Sequence, residues 1–160
     1  DDVGRATAVN YASFDYTPQE KELRYFLGQF VALHFSRFIG SVEDKFSKSL
    51  FFLDAKLAGA VADEERRTHS IAKFSSEGSE EVDLEIKNIA LQDVRASPMK
   101  ATVDFDKVFF ARGERREIRR ERFAGYFEFV VQENVPNNFV PVNPLGLTIT
   151  YFRVDPAFKP

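Results

Sequence analysis

The chain has 160 residues, 44% of them hydrophobic, and carries 22 Lys and Arg against 25 Asp and Glu, for a formal net charge of -3. That length and apolar content suit one domain that buries roughly 70% of the surface its unfolded chain would expose, and the slight acidity removes any global electrostatic reason to bind nucleic acid or anionic lipid. The absence of cysteine excludes disulfides, thiolate nucleophiles and soft metal sites, while leaving the redox compartment open.

Residues 1–16 show no sustained period and read as an extended or loosely helical lead-in. Thr17-Pro18-Gln19-Glu20 then supplies a helix start, with Thr17 as cap, Pro18 at the first helical position and Glu20 three residues after the cap. The predicted helix runs from about Pro18 to about Phe38. Leu23, Phe26, Leu27, Phe30, Leu33, His34 and Phe38 form its apolar face, and Glu22, Arg24, Gln29 and Arg37 lie mostly outside it. Its most apolar window, Phe26 to Ile39, is interrupted by Gln29, His34, Ser36 and Arg37. It falls short of the ~20 apolar residues a bilayer crossing needs.

Gly40-Ser41 breaks the first helix, and Ser41 caps a second in which Val42, Phe46, Leu50, Leu53, Leu57 and Val61 keep the same period. Asp63-Glu64-Glu65-Arg66-Arg67 carries the end of that helix or opens a short third one. The polar run from Ser75 to Glu81 contains glycine and no large apolar residue, so it predicts a mobile loop.

From there the period changes to two. Val82, Leu84 and Ile86 alternate with Asp83, Glu85 and Lys87, then Ile89, Leu91 and Val94 continue past an irregularity near Asn88. Ser97-Pro98 turns the chain into a second strand, where Ala101, Val103 and Phe105 alternate with Thr102, Asp104 and Asp106. A charged bend, Arg112-Gly113-Glu114-Arg115-Arg116, leads to a third strand between about Ile118 and Gln132. Asn143-Pro144-Leu145-Gly146 is a rigid turn, because proline fixes its own φ and restricts its predecessor while glycine accepts angles other residues resist. It opens a final strand rich in β-branched and aromatic residues, from Leu147 to Val154, which Asp155-Pro156 ends. Helices first and antiparallel strands after indicate an α+β domain, with helices packed on one face of a curved four-stranded sheet. Eighteen phenylalanines are more than one sheet face needs, and they fill a shared interior or line a pocket or subunit contact.

Reactive chemistry is thin. His34 and His69 are the only histidines, too few for a zinc site; Glu65 and His69 read as an exposed ion pair and His34 as a core-edge residue bonded to backbone or water. Asp104 and Asp106 share a strand face, but alternation with Val103 and Phe105 points them to solvent and away from any acid-lined chamber. No cofactor is expected, and no catalytic or metal residue is assigned. Arg112, Arg115, Arg116, Arg119, Arg120 and Arg122 face only Glu114, Glu117 and Glu121 within the hairpin, and aromatic stacking residues are missing until Phe123. The hairpin therefore reads as a solvated, ion-paired element or a protein-docking patch ahead of a single-strand platform.

Three segments resemble one family. The string from Asn143 to Asp155 resembles the closing segment of the bitopic inner-membrane subunit of type IV secretion systems, the eighth VirB protein, and of its conjugative relative TrbF. Phe14-Asp15-Tyr16-Thr17-Pro18 with the helix from Leu23 to Val31 is similar to the family's start, and Arg122-Phe123-Ala124-Gly125-Tyr126-Phe127-Glu128-Phe129 to its penultimate strand. The resemblance implies the cone-shaped fold of the nuclear transport factor family and a single periplasmic domain over residues 1–160. It implies an upstream membrane helix outside this chain, anchoring the domain at the bacterial inner membrane. It also implies a non-enzymatic assembly subunit of a secretion or conjugation channel, forming homodimers or higher oligomers and touching other channel subunits. No small-molecule substrate and no direct nucleic-acid binding are expected. Candidate contact residues are Arg24, Tyr25 and Gln29 on the first helix, Arg119 and Arg120 on the hairpin, and the turn Asn143, Pro144, Leu145 and Gly146. The competing readings are a small enzyme or ligand-binding protein of the same fold, and a peripheral binder of single-stranded DNA.

Overall fold

The computed structural model describes residues 18–78 and 80–157. Helix α1 spans Glu20–Phe35, α2 Val42–Ser49, a 3-10 turn Leu50–Phe52, α3 Ala55–Thr68 and α4 Ser70–Glu77. Four strands follow: β1 Glu80–Gln92, β2 Met99–Ala111, β3 Glu117–Val131 and β4 Leu147–Pro156. They form one antiparallel sheet in the order β1-β2-β3-β4. This is the expected α+β arrangement.

The expectations need five corrections. The cap of α1 is Gln19, whose N–H donates to the Glu22 carboxylate at 3.0 Å; Thr17, the expected cap, and the lead-in lie outside the described residues. The helix stops at Phe35 rather than Phe38, because Arg37 leaves it to pair with Val82 of β1 through reciprocal N–H to C=O bonds of 2.8 Å. Arg37 is half-buried, and its guanidinium donates to the His34 and Ser36 carbonyls at 2.7 and 2.8 Å, covering acceptors the helix end would otherwise orphan. The single second helix is two helices. Leu53 bridges to Ile149 of β4 and the Asp54 N–H donates to the Ile149 carbonyl at 3.0 Å, after which Asp54 caps α3 by accepting from Leu57 N at 2.8 Å. In both places a tertiary backbone bond overrides a continuous apolar period.

The fourth correction concerns Glu65 and His69, which form no ion pair. His69 takes a left-handed conformation at the corner between α3 and α4, and Glu65 accepts from Ser70 Oγ at 2.7 Å and from the Ile71 N–H, capping α4. The fifth concerns the predicted mobile loop. Residues 75–77 belong to α4, which Gly78 closes by donating to the Phe74 carbonyl at 2.8 Å, and β1 begins at Glu80.

The core lies between α1, the 3-10 turn and the inner sheet face: Leu23, Leu27, Phe30 and Val31 meet Phe52, Val103, Phe105, Phe127, Phe129, Leu147 and Ile149, all buried. Phe30 sits at the centre, with Phe52, Phe127 and Phe152 around it at ring separations of 6.1, 6.1 and 5.5 Å. Gly28 lets α1 approach β1 closely, since a Cβ there would lie 3.3 Å from Ile86 Cδ1. The register shifts between Ile86 and Asn88, where the sequence places an irregularity, and again in the β2–β3 and β3–β4 ladders, and such bulges bend a sheet. No helix among the described residues is long and apolar enough to cross a membrane.

Candidate protein-contact surfaces

The outer side of α1 carries Arg24, Tyr25 and Gln29, all exposed. Tyr25 is 60% exposed, and its ring stands edge-on to Phe26 at 5.0 Å, so an apolar anchor of low conformational entropy faces solvent. Arg24 is held from two sides, by the Glu20 carboxylate at 3.3 Å and by the Ile89 carbonyl of β1, to which its Nε donates at 3.2 Å. Gln29 borders a cleft of about 240 Å³ with Leu33, Phe38, Lys45, Asp83 and Leu84.

The hairpin arginines do not form one patch. Neighbouring residues of a strand point to opposite faces. Arg119 binds Glu80 at 2.7 Å and Glu121 at 2.9 Å and stacks on the Phe109 ring at 3.9 Å, whereas Arg120 binds Glu117 at 2.7 Å, Glu85 at 2.8 Å and Asp106 at 3.7 Å. The acids that neutralise them come largely from β1 and β2, which a reading confined to the hairpin leaves out. Arg122 is ion-paired with Asp106. Asp106 therefore departs from its expected solvent exposure: it is buried on the outer sheet face under Arg122, Arg120 and Lys87. The hydrogen bond from Arg122 holds its carboxyl below the usual carboxylate range, against the opposing effect of burial. Glu85 is lowered likewise by Lys87 and Arg120.

Nor do the two candidate surfaces merge. Arg24 reaches Ile89 and Arg119 reaches Glu80, nine residues apart on β1, which is about 30 Å of strand.

The turn before β4 does structural work. Asn143 is 1% exposed; its Nδ2 donates to the Phe51 carbonyl at 3.0 Å and to the Leu147 carbonyl at 2.9 Å, and its Oδ1 accepts from Leu147 N at 3.2 Å. One side chain thus ties the 3-10 turn to the start of β4. Gly146 has φ 73, and a Cβ there would sit 2.8 Å from Val135 Cγ2 and 2.9 Å from the Gln132 carbonyl. Pro144 is exposed and Leu145 half-buried against the core.

His34 is a buried residue with a side-chain partner, where backbone or water was expected. Its ring lies between Phe30 and Phe46 at 5.0 and 5.2 Å, and Nδ1 is 2.9 Å from Ser49 Oγ. Ser49 Oγ donates to the Phe46 carbonyl at 2.5 Å, which leaves His34 Nδ1 as the donor of the pair. Burial first, then the charges of Arg37 and Lys107, pushes the imidazole down to about 3, so it is neutral at physiological pH. Among the described residues no group of three or more His, Cys, Asp or Glu is placed to hold a metal. A second cleft, of about 640 Å³, lies between Pro18 to Leu23 and the β1–β2 turn at Val94, Arg95 and Met99, away from the phenylalanine interior.

A family model described as VirB8 protein matches residues 1–157. Among solved structures, the VirB8 protein of Agrobacterium tumefaciens is similar at a TM-score of 0.71 and 13% identity, over 92% of this chain and 99% of that one. A TraE protein solved in complex with 2-(2-furyl)isonicotinic acid matches at 0.71 and 19% identity, over 89% and 100%. The soluble domain of TrwG, from the type IV secretion machinery of Bartonella grahamii, matches at 0.71 and 15%, over 88% and 97%. No curated sequence is similar enough to be matched to this chain.

Proposed function

Since this chain belongs to the VirB8 family of type IV secretion subunits, we propose that it acts as a non-enzymatic scaffold of the secretion channel, on the periplasmic side of the inner membrane, through self-association and contacts with other channel subunits. The family match over residues 1–157 carries this reading. The site chemistry agrees with it. The interior is filled by interlocking phenylalanine rings, and the conspicuous charges are spent on one another across β1, β2 and β3. The face of α1 bearing Arg24, Tyr25 and Gln29 is the self-association surface in this proposal, and Tyr25 is its anchor, because large rigid aromatics dominate small interfaces. Arg119 and Arg120 serve separate contacts, being on opposite sheet faces.

The test is complementation of a strain lacking the gene, scored by substrate transfer, beside sedimentation equilibrium of the purified chain. Loss of transfer on deletion, restored by the wild-type gene, together with concentration-dependent association supports the proposal. Transfer that survives deletion in a strain with no second copy of the gene overturns it.

A further inference from the structure

The cleft that Gln29 borders lies where the C-terminal half of α1, the connection to α2, α2 itself and the edge of β1 meet. Leu33, Phe38 and Leu84 give it an apolar lining. Its volume of about 240 Å³ equals the share of liquid taken by about eight waters at ~30 Å³ each. That is room for a small molecule, below the usual range of drug-sized pockets.

Three polar side chains of the same cleft, Ser36, Lys45 and Asp83, have bonding capacity left over. Lys45 holds its ammonium 4.7 Å from the centre of the Phe38 ring, and among the described residues no acid lies within ion-pair distance of it. Asp83 accepts from the Leu84 N–H through Oδ1 at 2.8 Å, and among the described residues no cation pairs with its carboxylate. Two opposite charges thus border one cleft without meeting. Ser36 is 4% exposed, and its Oγ is buried with no hydrogen-bond partner among the described residues. A buried hydroxyl of this kind destabilises the fold unless something binds it. Turning it about χ1 towards the cleft breaks no hydrogen bond, because the present rotamer makes none.

We propose that this cleft binds a zwitterionic free amino acid with an apolar side chain. The charge pattern selects the class. A simple carboxylate is drawn to Lys45 and repelled by Asp83, and a simple amine meets the reverse, whereas a molecule carrying both charges satisfies both walls. Its carboxylate lies against Lys45 and accepts from Ser36 Oγ, bonds strengthened by the charge. Its ammonium faces Oδ2 of Asp83, the oxygen that the Leu84 N–H leaves open. Its side chain covers Leu33, Phe38 and Leu84, which a polar molecule of the same size would leave wet. Apart from the exposed Gln29, the site shares no residue with the α1 contact surface, and it does not require self-association.

Titration of the whole isotope-labelled chain with L-leucine, followed by amide NMR shifts, tests the proposal. The shifts should centre on Gln29 to Phe38, Lys45, Asp83 and Leu84 and saturate with a Kd of about 1 mM, modest as befits so small a ligand. N-acetyl-leucine lacks the ammonium and leucinamide the carboxylate, so each should bind about tenfold more weakly. Lys45→Met and Asp83→Asn should each weaken leucine about tenfold with the thermal melt unchanged. Ser36→Ala should weaken leucine several-fold while the melting temperature holds or rises, since it removes a hydroxyl that has no partner in the empty cleft. Absence of shifts up to about 50 mM leucine overturns the proposal. So does N-acetyl-leucine or leucinamide binding as tightly as leucine, or leucine binding unchanged in all three variants.

Discussion

Asn143 and His34 show how much a single buried polar side chain decides here. Asn143 satisfies carbonyls on two segments that are remote in sequence, so Asn143→Ala leaves the Phe51 and Leu147 groups without their partner in a dry site. A loss of about 2–3 kcal/mol is expected, read as a lower midpoint in urea denaturation at unchanged slope. His34 makes stability depend on pH. Its ordinary value of 6.5 is pushed down to about 3 in the fold, so the unfolded chain takes up a proton that the folded chain refuses. The contribution is whole above pH 6.5 and is lost at about 1.4 kcal/mol per unit as pH falls from 6.5 towards 3. Urea titrations at pH 7 and pH 5 should show this loss in the wild type, and His34→Phe should flatten the difference. Asp106, lowered by Arg122, adds to acid sensitivity only further down, below the usual range of an unfolded aspartate. None of this pairing follows from local sequence. Asn143 is a turn former on its face, and nothing in the spacing of Ser49 and His34 announces a buried hydrogen bond.

At the scale of elements, period and punctuation located α1, the start of α2 and the four strands, but not α4 or the break between α2 and α3, and the errors cluster where one segment bonds to another. The turn at Ser97-Pro98, the irregularity near Asn88 and the Asn143 to Gly146 corner were legible because each depends on the residues that form it. The end of α1 and the break at Leu53-Asp54 were not, since each is set by a backbone bond to a strand more than forty residues away. Close packing of α1 on β1 is another such feature. Gly28 looks like an unfavourable helix residue, yet a side chain there meets Ile86 at 3.3 Å and Ile89 at 3.7 Å. Gly28→Val should therefore cost about 1–3 kcal/mol from overpacking, visible as a lower melting temperature and faster amide exchange along β1.

For the whole molecule, the surfaces matter more than the interior. The outer residues of α1 can change without touching the core, so Tyr25→Ala should leave the thermal midpoint within a few degrees while lowering self-association and substrate transfer; an unchanged transfer frequency would remove α1 from the interface. The charge lattice has the opposite character. Its pairs are mostly exposed and span three strands, so each contributes little to stability, and their effect is to neutralise Arg119, Arg120 and Arg122. Arg119 and Arg120, adjacent in the chain and treated together on that ground, are separated by the pleat.

The sequence by itself determined that helices precede the four strands and where the final turn and strand lie, because periodicity and proline and glycine angles act within a few residues, while the family entered through the resemblance of the segment from Asn143 to Asp155. The tertiary structure alone decided where α1 stops, which acids cover the arginines and what Asn143 holds together. Those outcomes depend on hydrogen bonds and ion pairs between distant segments, whose partners are fixed only when the chain has folded around its phenylalanine core.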